Sequence, residues 1–205
     1  MAEHTAARPD PGTRELQCHL CHAWAPAWEI VHAGTIEAGY RDLCSRCWNE
    51  EIAGARGLDF HHVRFEPSDT PDAAGTVHRF HYLLRHLGDR LSLEAFELQQ
   101  SEPAGYRFEV VGPADIDPLD LMGRLVKRMR DALARRHLAE GEFGLAIAET
   151  EVRGRIDCDL DSDARIPILV IDGREVSWNE FGRMLMTFEG WRFKLTIDDP
   201  GDEIS

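Results

Sequence analysis

The 205-residue sequence predicts an α+β fold: a small cysteine-rich module, then a larger α+β domain with mainly antiparallel sheet, one long helix and one short helix. Three observations predict it. Two CxxC pairs, Cys18/Cys21 and Cys44/Cys47, bracket a hairpin-like stretch near the N-terminus. Residues 77–86 alternate apolar and polar side chains, and 91–98 and 106–111 can return as two further strands. Residues 118–137 repeat apolar side chains at the helical period, and a strand–turn–strand–helix–strand pattern fills the C-terminal third.

Composition narrows the class. A hydrophobic content of 43% with 29% charged residues is that of a globular protein. No run of about 18 apolar residues exists, so no membrane span is expected. Residues 1–12 are polar and contain no apolar signal core, which predicts a cytoplasmic protein. In that compartment a CxxC pair points to metal or redox chemistry before a disulfide. A net charge of -14 disfavours non-specific binding to nucleic acid or an anionic membrane. Composition shifts divide the chain into a disordered tail (1–16), a metal-binding module (17–57), a Pro/Asp/Gly-rich linker (58–75), an α+β domain (76–199) and an acidic tail (200–205).

Within the module each CxxC knuckle offers two thiolates, and two knuckles complete a tetrahedral four-sulfur shell. The expected metal is one Zn(II) per chain on Cys18, Cys21, Cys44 and Cys47, and iron is the other metal that such a shell suits. Residues 29–32 read as a strand, Ala33-Gly34 as a turn and 39–43 as the returning strand. The second knuckle runs into a helix-forming stretch, 48–53, that Gly54 and Gly57 can stop. A helix N-terminus at that knuckle stabilises thiolates. Knuckle, hairpin, then a knuckle opening a helix resembles the treble-clef class of zinc fingers, whose members host many unrelated functions.

Rival chemistries fit these residues less well. Cys18-His19-Leu20-Cys21-His22 matches the c-type haem attachment pattern, but that needs an oxidising compartment, and Trp48 rather than His follows the second pair. A dithiol redox switch would use the same thiols. His19, His22 and His32 lie near the site, but four sulfurs already close the shell. HNH-type nucleases place a His, an Asn and a second His around a metal on a similar scaffold. His32 and Asn49 resemble the first two, and no His follows in 48–53.

Further on, residues 60–65 read as a short strand or an extended docking segment, on which His61 and His62 point apart. His78 and His86 share a strand face, but eight residues span roughly 26 Å, too far for one metal, so they read as surface or satisfied histidines. Asp117 and Pro118 form a helix start. Arg124, Lys127, Arg128, Asp131 and Arg135 give that helix a largely basic face, read as solvated, with an acidic partner or a phosphate backbone as the sharper alternative. Asp157, Asp159, Asp161 and Asp163 alternate and could gather a divalent ion. Ser162 and Ile168 exclude an EF-hand loop. Cys158, on the opposite face, reads as a small buried residue.

The C-terminal third reads as a strand over 166–171, an Asp172-Gly173 turn, a strand, and a helix capped by Ser177 with Glu180 three residues on. Trp178, Phe181, Leu185 and Phe188 share a helical face expected to be core, and Trp191, Phe193, Leu195 and Ile197 form an amphipathic final strand. This segment, joined to the CxxC module, resembles a family of uncharacterised bacterial proteins, and the resemblance implies no reaction. No phosphate loop, dinucleotide fingerprint, H-E-x-x-H, G-x-S-x-G or deaminase motif is present. The expected function is therefore non-enzymatic: a zinc-binding protein acting through contact with a protein partner, or in regulation. The alternatives are a nucleic-acid-binding regulator using the zinc module and the basic helix 124–136, and a metal-dependent hydrolase or nuclease. Cys44→Ser is expected to loosen 17–57 and largely spare the second domain.

Overall fold

The computed structural model describes residues 14–142, 144–159 and 165–199. Over the described residues the fold is α+β with mostly antiparallel sheets and three α-helices. It opens with the short pair β1 (Glu15–Gln17) and β2 (Trp24–Pro26), which encloses the first knuckle. Part of the segment expected to be a tail is thus a strand. Gln17 pairs with Trp24, so the knuckle itself supplies the turn.

β3 (Ile30–Thr35) and β4 (Gly39–Cys44) form a hairpin that leads into α1 (Ser45–Arg56). The turn falls at 36–38 rather than at Ala33-Gly34. Gly34 serves close approach instead: it lies opposite Tyr40 with φ +141°, and a Cβ there would collide with the carbonyl oxygen of Gly39. Gly57, in the left-handed region, ends α1.

The central sheet has the order β5–β6–β7–β8, from β5 (Ser68–Pro71), β6 (Val77–Leu87), β7 (Arg90–Gln99) and β8 (Glu102–Pro113). β5 lies inside the stretch read as linker. Its composition suits an edge strand, where the missing N–H of Pro71 costs no ladder bond. Asp72 closes the following turn by accepting from the N–H groups of Ala74 and Thr76. One face of the sheet packs Phe80, Leu84, Leu91, Leu93, Ala95 and Val110 against Leu121, Leu125, Met129 and Leu133 of α2 (Pro118–Leu133). Phe60, Val63 and Phe65 lie against the same core, so 60–65 is an extended docking segment.

Asp117 caps α2 by accepting from the N–H of Leu119. The helix ends four residues before the expected His137. Tertiary bonds hold the chain beyond its last turn: Leu133 O accepts from Ala73, and Asp172 accepts from the N–H groups of His137 and Leu138.

The last third contains the hairpin β9 (Leu138–Gly141)–β10 (Gly144–Ile147) and the sheet β11 (Arg155–Cys158)–β12 (Pro167–Ile171)–β13 (Arg174–Ser177). α3 (Trp178–Leu185) comes next, capped by Ser177, which accepts from the N–H of Glu180. The Asp172-Gly173 turn has φ +50° and +70°, the signs of a type I′ hairpin.

Three expectations fail here. α3 buries Met184 and part of Phe181, and leaves Trp178 and Leu185 about half exposed. No strand forms at 191–197. An amphipathic pattern shows only that a strand would have an apolar face, and among the described residues nothing covers it. Cys158 is exposed rather than buried, because β11 is a sheet edge. Among the described residues no helix is long and apolar enough to cross a membrane.

Candidate metal centre

The two knuckles converge. Cys18 follows β1, Cys44 ends β4, and Cys47 lies in the first turn of α1. The first knuckle is tied to β4 by His19 N–H donating to Asp42 O at 2.7 Å and Asp42 N–H donating to His19 Nδ1 at 3.0 Å. The ligand-type atoms of Cys18, Cys21, Cys44 and Cys47 all lie within 4.8 Å of one another, with Cys21 and Cys44 Sγ 3.8 Å apart. A tetrahedron of metal–sulfur bonds of about 2.3 Å has sulfurs about 3.8 Å apart, so the spacing fits a four-thiolate ion. None of the four forms a disulfide, and three are buried.

The electrostatics also fit a cation. Burial opposes ionisation of Cys18, but hydrogen bonds from the backbones of Cys21, Cys44 and Leu20 outweigh it and bring the thiol down to about 6. Burial pushes Cys47 strongly up, and the neighbouring sulfurs of Cys21, Cys44 and Cys18 add to this. Burial likewise raises Cys44. Packed thiols that resist joint ionisation are a natural seat for a metal ion, whose charge reverses that preference. The half-exposed guanidinium of Arg46 bonds the sulfur of Cys21 and lies near Glu50 and Cys47, contacts that outweigh its slight desolvation and raise its pKa further.

The other candidates go elsewhere. His19 and His32 both engage Asp42, the latter at 2.5 Å through Nδ1. His22 is exposed. Asn49 is fully buried and nowhere near His32 in its bonding. Its Nδ2 donates to Leu84 O at 2.8 Å and to His62 Nδ1 at 3.1 Å, and its Oδ1 accepts from the N–H of His86 at 2.8 Å. β5 pairs with β6 only over Val77–Phe80, so farther along β6 Asn49 stands in for a missing strand on the free edge. Trp48 Nε1 donates to His86 O at 2.9 Å. On the far face of the sheet Trp28 packs edge-on to Phe96 at 5.1 Å, and Arg85 donates to Trp28 O. The cysteine module is thereby docked on the sheet, which the sequence did not reveal. The available signal was a Trp-Asn pair placed directly after the second knuckle, whose ring packs on the cysteine cluster while its indole N–H and the neighbouring amide reach the sheet.

His86 is fully buried and packs edge-on against Phe60, so it is a core residue rather than a surface one. His78 Nδ1 bonds Glu97 at 2.9 Å, while its buried Nε2 lies 3.5 Å from Asp72 without a hydrogen bond, so only one of its ring nitrogens is satisfied. Asp157 is gripped by the guanidinium of Arg155, which holds its carboxyl below the usual range. Asp161 and Asp163 lie outside the described residues. Among the described residues the four cysteines are the sole group of three or more His, Cys, Asp or Glu placed to hold a metal.

The His62 contact predicts a pH dependence. Burial, then the charges of Arg46 and Arg64, pull its imidazole down to about 4. The folded protein therefore binds fewer protons than the unfolded one between pH 6.5 and 4. Stability is full above that window and falls as pH drops through it, by on the order of 1–2 kcal/mol once partial exposure is allowed for. Urea midpoints at several pH values should show this slope, and His62→Gln should flatten it relative to the parent. An equal slope in both proteins would refute the assignment.

Three domain-family models match the chain, each described as a domain of unknown function: DUF7685 over residues 17–59, DUF7686 over 61–134 and DUF7713 over 137–202. The segments follow the three hydrophobic clusters, around the cysteines, beneath α2 and around Ile171 and Val176. No curated protein and no solved structure matches the chain.

Proposed function

We propose that residues 17–57 form a treble-clef-like module holding one Zn(II) per chain through Cys18, Cys21, Cys44 and Cys47, and that the protein is a cytoplasmic, non-enzymatic protein working through contact with other protein surfaces. The convergence of four sulfurs within 4.8 Å carries the metal reading. A closed four-sulfur shell leaves no open position for substrate or water, which is the character of a structural rather than a catalytic zinc. The metal then has a second consequence. By fixing the start of α1 it fixes Trp48 and Asn49, and so holds the module against β6.

Metal analysis of the purified chain, with its visible spectrum, tests this. One zinc per chain and no colour supports the reading. Stoichiometric iron with visible absorption, or no bound metal, would refute it.

A further inference from the structure

The C-terminal third leaves two complementary faces uncovered. In residues 191–197 the apolar side chains alternate with Arg192, Lys194 and Thr196. Trp191 is 67% exposed, Phe193 92%, Leu195 73% and Ile197 70%. The segment leaves the end of α3 through a turn in which Trp191 N–H bonds to Phe188 O and the two rings meet edge-on at 5.5 Å. It pairs with no strand among the described residues.

The three-stranded sheet offers the matching half. β11 is its edge, and no strand pairs with the outer side of β11 among the described residues. Ile156, Leu169 and Val176 lie directly opposite one another and so share a face. Val176 is fully buried, Leu169 packs on the core, and Ile156 is 56% exposed. The apolar row is unfinished at Ile156. On the opposite face β11 and the residue after it present Arg155, Asp157 and Asp159.

We propose that residues 191–197 of one copy add as a fourth strand to the β11 edge of a second copy of this chain, and reciprocally, forming a two-fold dimer. Both faces match in one register. The Trp191, Phe193, Leu195 and Ile197 row extends the core beside Ile156, while Arg192 and Lys194 fall on the side of Arg155, Asp157 and Asp159, a face that keeps one net negative charge with Arg155 bonded to Asp157. A one-residue slip spoils both faces together, so the pairing is strongly specified. Each arm carries four large apolar side chains, on the order of 600 Å² of surface, so two reciprocal arms bring about 1,200 Å², the scale of a small specific interface. Donor and acceptor lie in one chain, so exchange closes on itself. This gives the contact-making part of the proposed function its first partner and rests on that reading. The metal part is read separately, by zinc content, so the two can fail apart.

Light scattering across a concentration series of the full chain tests the proposal. The expected species has twice the 23.2 kDa chain mass. Phe193→Asp and Ile156→Arg should each raise the dissociation constant at least about 30-fold, the scale of an interface hot spot, with unchanged circular dichroism. Mixing the two variants should restore a weaker dimer, because one intact arm and one intact edge remain. Reversing both Arg192 and Lys194 to Glu should weaken the dimer without removing apolar surface. A wild-type monomer at every concentration would overturn the proposal, as would dimers insensitive to Phe193→Asp. So would concentration-independent hydrogen-exchange protection of 191–197, the mark of an arm docked on its own copy.

Discussion

Cys44→Ser is expected to abolish the proposed metal binding, unfold residues 17–57 and also destabilise the central sheet. Metal binding to a four-thiolate site couples on the order of 10 kcal/mol to the folding of so small a module, and loss of one thiolate forfeits most of it. The pair β1–β2, the hairpin β3–β4 and α1 bury little beyond the cysteines themselves, chiefly Ala25, Ile30, Ala33 and Leu43. The sequence alone suggested that damage would stop at the module boundary. The structure predicts spread, because Asn49 and Trp48 satisfy backbone groups of Leu84 and His86 on β6. Limited proteolysis with mass mapping should find early cuts within 17–57 and raised amide exchange at 84–86. Chelation of the wild type should reproduce both. Protease resistance of the module in Cys44→Ser would contradict the account.

Asn49→Ala should be nearly as harmful while leaving the metal in place. The change orphans a buried N–H on His86 and a buried carbonyl on Leu84, each costing about 1–3 kcal/mol. A total of about 3–4 kcal/mol is expected, a large share of the stability of an ordinary domain. Asn49→Asp should fare no better, since a carboxylate can still accept from His86 but faces the Leu84 oxygen with no proton to give. Denaturant midpoints measured beside zinc content separate the roles. Full zinc with a strongly lowered midpoint identifies Asn49 as a docking residue. Loss of zinc with an unchanged sheet would place it at the metal instead.

Local chemistry was legible in the sequence. The two CxxC knuckles, the Asp117 and Ser177 caps, the Asp172-Gly173 turn and the alternation of β6 each depend on residues within a few positions of one another, so they can be read in order along the chain. Gly34 misled because glycine marks both turns and close backbone approach, and only the partner strand tells which. β5 was hidden because an edge strand rich in Ser, Asp, Thr and Pro has the composition of a loop.

The amphipathic pattern of 191–197 and the aromatic face of α3 were visible as well, but their burial was not. Periodicity fixes which side chains share a face. Whether that face is covered depends on surfaces far away in sequence, or in another molecule. The same reason governs the centre of the protein. The sequence by itself determined that four thiolates could meet. Only the tertiary structure decided that Asn49, Trp48 and Trp28 would bind the cysteine module to the sheet, because a buried amide or indole finds its partner through long-range packing that no local spacing encodes.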